Sequence, residues 1–165
     1  MRPAGWFACN IARIEAGTPL FPIDFGPENL PHESGVLDDR VSFRKGCYLG
    51  QEVVARMQSL GHPKQRLIAL RLVGDNACDE HANTRQPVGG AHVFARSDAG
   101  GNPVGTITSS TISPMLAGEV ACFAMMRYAN SDPGAELTIA ADGAYVDAMV
   151  QPSLRFWSRE PALKA

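Results

Sequence analysis

Apolar residues recur along the 165-residue chain at two different spacings, helical before Gly61 and strand-like after Lys64. Phe7, Ile11 and Ile14 fall on one face of a helix predicted over about residues 3–16, which Gly17 and then Pro19 stop. Leu49, Val53, Met57 and Leu60 repeat at the same spacing. They predict a second amphipathic helix over residues 50–60, ended by Gly61 and Pro63, with that apolar face turned inward and Glu52 and Arg56 on the other. Residues 18–39 carry Pro19, Pro22, Pro27 and Pro31, which disfavour helix, and form a passage long for a connector.

Beyond Gln65 the runs become short and alternating. Strands are expected at 66–73, 90–96, 104–109, 120–128, 136–140 and 145–150. Strong turn signals separate several of them: Asp98-Ala99-Gly100-Gly101-Asn102, Ser131-Asp132-Pro133-Gly134 and Asp142-Gly143. The expected class is α+β, with a helical and loop segment over residues 1–63 followed by a C-terminal antiparallel β-barrel or sandwich over 64–165. The tail from Pro152 reads as a loosely held end that Phe156 and Trp157 dock.

Composition narrows the class without naming a partner. With 45% hydrophobic residues and a net charge of −2, the chain reads as an ordinary soluble globular protein. Its fifteen basic residues are read as scattered among seventeen acidic ones, so direct nucleic-acid binding is not expected. No apolar run approaches the roughly 20 residues that span a bilayer, and the N-terminus lacks the regions of a signal peptide. A cytoplasmic protein with free thiols is the expectation. Cys9, in a helical stretch, and Cys122, in an apolar strand, are expected in the core, and Cys78 in a polar loop. No spacing of the cysteines with one another or with His62, His81 and His92 suits a metal.

The stretch with the clearest chemical character is Lys45-Gly46-Cys47-Tyr48-Leu49-Gly50-Gln51-Glu52. It sets a cysteine between glycines, beside Arg44 and Lys45, at the start of the second helix. Neighbouring cations and a helix N-terminus stabilise a thiolate. Cysteine is equally a small, often buried hydrophobe, and spacing leaves both roles open.

That run, with Ala55-Arg56 after it, resembles the signature of the folate-binding YgfZ-type proteins, relatives of the glycine-cleavage T-protein that support iron-sulfur cluster assembly or repair. Arg13-Ile14-Glu15-Ala16-Gly17, Pro19, Asp24 and Leu30-Pro31-His32-Glu33 resemble the segment preceding the motif in that family. Gly105-Thr106-Ile107-Thr108-Ser109-Ser110 with Ser113-Pro114 is similar to the C-terminal barrel shared with the T-protein. The resemblance corresponds to the C-terminal half of the family fold. The half that comes first in the family carries much of the folate cleft; whether the chain is a truncated reading frame or half of a split protein stays open, and in the second case a separate N-terminal half is an expected partner, beside iron-sulfur proteins or their assembly factors.

By the same resemblance Cys47 and Lys45 are the candidate reactive thiol and its supporting cation, and Glu15, Tyr48 and Gln51 the candidate contacts to tetrahydrofolate. A carboxylate such as Glu15 suits the two adjacent N–H donors of a pterin edge; its alternative is a solvated helix residue. Tyr48 either lies against a folate ring or packs under the loop. Arg13 reads as structural and His32 as a surface residue. Thr108 to Ser110 offer hydroxyls without a hydrolase arrangement. Two rival functions stand beside the iron-sulfur one: tetrahydrofolate-dependent aminomethyl transfer, for which the T-protein's catalytic region has no counterpart here, and a partner-binding module without chemistry.

Overall fold

The alternating segments close into a six-stranded antiparallel barrel in the computed structural model, which describes residues 4–157 apart from the side chain of Leu60. The strands are β1 (Gln65–Leu72), β2 (His92–Ala95), β3 (Gly105–Ser113), β4 (Glu119–Arg127), β5 (Glu136–Ala141) and β6 (Ala144–Val150), neighbouring in the order β1-β4-β3-β2-β5-β6 and back to β1. All six predicted strands are present, and the α+β class with a C-terminal barrel holds. Leu70, Val93, Ile107, Val120, Cys122, Met126, Ile139 and Val146 fill the interior. Closure removes the two terminal edges that an open sheet of these strands would present.

Strand β4 is buried on both faces, which explains its nearly continuous apolar run. Cys122, Ala124 and Met126 point into the barrel. Ala121 and Phe123 lie outside, in a second cluster with Ile14, Leu67 and Ala69, against which Leu154 and Phe156 pack. Helix α1 (Trp6–Glu15) and the C-terminal segment therefore cover the outer face of β1 and β4. The amide of Phe156 donates to the Glu15 carbonyl at 3.1 Å, so Phe156 docks the tail. Residues 158–165 of the expected loose end, like Pro3, lie outside the described residues.

Two helix faces differ from the periodic reading. Ile14 is fully buried, but Phe7 is 72% exposed and Cys9 is exposed, because α1 reaches the barrel only from Asn10 onward. Among the described side chains of α3 (Gln51–Leu60) Val54 is the buried one, whereas Val53 is half-exposed and Leu49, just before the helix, is fully exposed. Among the described elements α3 packs chiefly on the single 3-10 turn Pro31–Glu33, and Leu49 and Val53 of its predicted apolar face stand exposed. A short helix, α2 (Leu37–Arg40), lies between them. Among the described residues no helix is long and apolar enough to cross a membrane.

Strand β3 runs to Ser113, four residues past its predicted end. Its serines and threonines do not break the strand because they are used: Ser109 and Ser113 are buried under α1, bonded to Arg13 and Glu15. A bulge between Ile107 and Ser109 turns the hydroxyls of consecutive Thr108 and Ser109 toward one carboxylate oxygen, which a regular pleat would forbid.

Gly17 ends α1 in the manner its sequence signal requires. Its φ is +70°, and the amide of Thr18 donates back to the Arg13 carbonyl at 2.8 Å, closing the last turn. A Cβ there would also stand 2.7 Å from the Arg155 amide nitrogen. Gly17→Ala is expected to cost about 1–3 kcal/mol from the backbone conformation alone, with the clash added, read as a fall in the urea midpoint. An unchanged midpoint would show that residue 17 neither needs a positive φ nor has the tail seated against it.

Candidate functional site

The predicted site residues fall into two places. Arg13, Glu15 and Asp24 form a buried polar layer between α1, the following loop and β3, whereas Lys45, Cys47, Tyr48 and Gln51 form an exposed loop leading into α3. Among the described residues no hydrogen bond or ion pair joins Glu15 to that loop.

The loop is fixed locally. Gly50, at φ +83°, makes the turn that starts α3. Gln51 closes the turn from both ends: its side-chain oxygen accepts from the Tyr48 amide at 3.2 Å, and its own amide donates to the Tyr48 carbonyl at 3.3 Å. The Lys45 ammonium stands 4.7 Å from the centroid of the half-buried Tyr48 ring, an arrangement that favours a cation over the ring face. Cys47 lies between these two residues with its side chain exposed to solvent. The arrangement thus presents a thiol on a short, internally braced loop. Gln51 and Tyr48 brace it, and Lys45 leans on Tyr48.

The buried layer is built differently. Arg13 Nη1 meets Asp24 Oδ2 at 2.5 Å, its Nη2 donates to Ser109 Oγ at 2.6 Å, and its Nε donates to Asn10 Oδ1 at 2.9 Å. The guanidinium carbon also lies 5.9 Å from the Phe123 ring centroid. Arg13 is structural, as the sequence suggested. Glu15 is 6% exposed, and its Oε1 accepts from Ser113 Oγ at 2.5 Å and from the Met115 amide at 3.2 Å. The solvated-helix alternative is therefore excluded by burial. A pterin edge can be met by Oε2, which makes no hydrogen bond among the described residues; a bidentate grip requires Ser113 and Met115 to release Oε1.

His32 is not the surface residue expected. Both ring nitrogens are buried without a hydrogen-bond partner among the described residues. The ring lines a cavity of about 590 Å³ beside Arg66, Ser131, Gln151 and Arg155. Sequence offered no signal for it, because its walls come from the loop, β1 and the tail.

Of the four cysteines, Cys122 is completely buried in the barrel and its burial pushes the thiol pKa well up. Cys9, Cys47 and Cys78 are exposed. Brief treatment of the native protein with iodoacetamide is expected to add three labels by mass spectrometry, with a fourth at Cys122 only after unfolding. Native labelling of Cys122 would mean that the barrel opens on the timescale of the reaction. Among the described residues no group of three or more His, Cys, Asp or Glu side chains is placed to hold a metal ion.

Comparison with known proteins places these features in a family context. Residues 66–156 match the family model described as the glycine cleavage T-protein C-terminal barrel domain. A probable aminomethyltransferase of Natronomonas pharaonis is 30% identical over 152 residues, 91% of this chain and 38% of the relative. The tRNA-modifying protein YgfZ of Colwellia psychrerythraea is 40% identical over 62 residues, 37% of this chain and 19% of its own. An iron-sulfur cluster assembly factor homologue of Phaeosphaeria nodorum is 29% identical over 123 residues, 67% of this chain and 30% of the relative. The crystal structure of the glycine cleavage system aminomethyltransferase T from Bartonella henselae superposes with a TM-score of 0.73 at 23% identity, covering 91% of this chain and 38% of that one, which shows the shared fold. The chain thus spans less than two fifths of the length of each of these relatives.

Proposed function

Since the chain belongs to the glycine cleavage T-protein C-terminal barrel family, we propose that it acts as a folate-dependent, YgfZ-like protein in iron-sulfur cluster assembly or repair, with Cys47 as its working group. The observation that carries this reading is the exposed Cys47 on a braced loop within the Lys45-to-Glu52 motif. The named relatives agree in kind: one is a YgfZ protein and another an iron-sulfur cluster assembly factor homologue. Cys47 serves as a transient ligand or nucleophile toward an iron-sulfur protein, and Lys45 is the cation that supports its ionised form.

Residues 1–63 then contribute one wall of a folate-binding domain, and 64–165 the barrel that carries it. Glu15 takes a pterin N–H through Oε2, and Tyr48 and Gln51 face the cofactor from the loop they brace. Tetrahydrofolate, when bound, supplies a carrier for one-carbon units. A complementary N-terminal half completes the cleft. Support for folate binding at Glu15 comes from its burial and single committed oxygen, which leave the second carboxylate oxygen as an acceptor in a largely buried setting.

Aminomethyl transfer to tetrahydrofolate is the second reading, favoured by the aminomethyltransferase match across 91% of the chain. Mixing the chain with a complementary half, an aminomethyl-lipoyl carrier and tetrahydrofolate separates the two. Turnover that survives loss of Cys47 identifies a transferase; absence of turnover, with Cys47 required for iron-sulfur enzyme activity, supports the first reading.

A further inference from the structure

Five basic residues and a single acid, Glu52, stand in segment 40–64, whereas the remaining sequence holds ten basic and sixteen acidic residues. The reading of evenly scattered charge fails at this scale. The chain is acidic except around Cys47. Arg40, Arg44, Lys45, Arg56 and Lys64 are all exposed, and among the described residues none of them has a carboxylate within ion-pair distance. Elsewhere five of the seven described arginines, Arg13, Arg66, Arg71, Arg96 and Arg155, pair with an acid, and Arg85 and Arg127 do not.

Apolar side chains interrupt these unpaired cations. Leu49 is fully exposed, Val53 is 52% exposed and Phe43 46%. Val53 and Arg56, three residues apart, share a face of α3. Water-facing aliphatic groups among unneutralised charges are the makings of an interface whose partner supplies both missing complements.

We infer that segment 40–64 is the docking surface for an acidic, partly apolar face of a partner protein, which it brings to Cys47; this rests on the working role given to Cys47 above. A protein fits better than a nucleic acid. Single-stranded nucleic acid needs free aromatic faces for stacking. In this segment Lys45 occupies one face of the Tyr48 ring and Tyr128 one face of the His62 ring at 4.2 Å, so neither can be sandwiched between bases, and Phe43 is the remaining ring. Leu49 and Val53 offer no ring plane. The acidic remainder of the chain also repels any polyanion that extends past the strip.

The test uses the whole chain and first needs no partner. Anionic iodoacetate and neutral iodoacetamide alkylate the same thiols, so their rate ratio at each cysteine reports the local field. The ratio at Cys47 is expected to exceed that at Cys78, which lies among Asp75, Asp79 and Glu80, by about threefold or more at low salt. The two should converge near 1 M salt, where the Debye length is about 3 Å. Arg40→Glu/Arg44→Glu/Arg56→Glu should abolish the difference without moving the urea midpoint. Equal ratios at low salt overturn the inference, and they do so independently of whether Cys47→Ser loses function.

The second arm measures binding of a Glu/Leu peptide and an oligouridylate of equal charge at physiological salt. Preference for the peptide, lost in the triple variant, supports a protein partner. Preference for the oligouridylate overturns it in favour of nucleic acid.

Discussion

Replacing Cys47 by Ser is expected to remove the chain's support of iron-sulfur enzymes while leaving its unfolding midpoint unchanged. The two halves of that expectation come from different facts. Cys47 is exposed and makes no hydrogen bond within the described residues, so trading sulfur for oxygen disturbs no packing; the change in stability should stay within about 0.5 kcal/mol. Under the proposed role, function depends instead on a sulfur that acts as a soft ligand or nucleophile, and a serine hydroxyl is not a comparable ligand for iron. The measurement is the activity of an iron-sulfur enzyme in cells whose only copy of this protein is the variant, set beside urea unfolding of the purified chain. Full activity would remove Cys47 from the mechanism. Indifference extending to Lys45→Ala and Gln51→Ala would leave a partner-binding module without chemistry.

What sequence revealed and what it hid divide along the range of the interactions. Strand positions follow from alternation within a few residues, which is why six strands and the end of α1 at Gly17 could be placed. Which face of a helix is buried depends on what lies opposite it. Spacing places Leu49 and Val53 inward because it is correct for a packed face; among the described elements α3 packs chiefly on one turn of 3-10 helix, and Val54 is buried instead. Cys9 was misjudged for the same reason. The buried polar layer was invisible for a stronger one: Glu15 finds Ser113 across 98 residues, and Asp24 finds Ser109 across 85. The basic strip around Cys47, however, was legible. Counting charges by segment rather than over the whole chain exposes it.

The largest loss of stability is expected from Asp24→Ala. The Asp24 side chain has no solvent exposure and its Arg13 partner is 6% exposed, so the ion pair lies in a dry layer between α1, the loop and β3. Both carboxylate oxygens are fully used: Oδ2 takes Arg13 Nη1 and the Leu20 amide, and Oδ1 takes the Thr108 and Ser109 hydroxyls. Removing the carboxylate strands a guanidinium that retains only Ser109 and Asn10, and an unpaired buried charge costs about 3–5 kcal/mol. Glu136→Ala provides the scale, because it breaks the half-exposed pair with Arg96 on the barrel surface, where such pairs contribute about 0–1 kcal/mol. The double change Arg13→Met/Asp24→Leu should recover most of the loss, since it removes both charges together and leaves apolar bulk against Phe123. Urea unfolding of the four proteins decides the matter. If Asp24→Ala costs no more than Glu136→Ala, water reaches the pair, and the loop that leads toward Cys47 is fastened by packing rather than by this network.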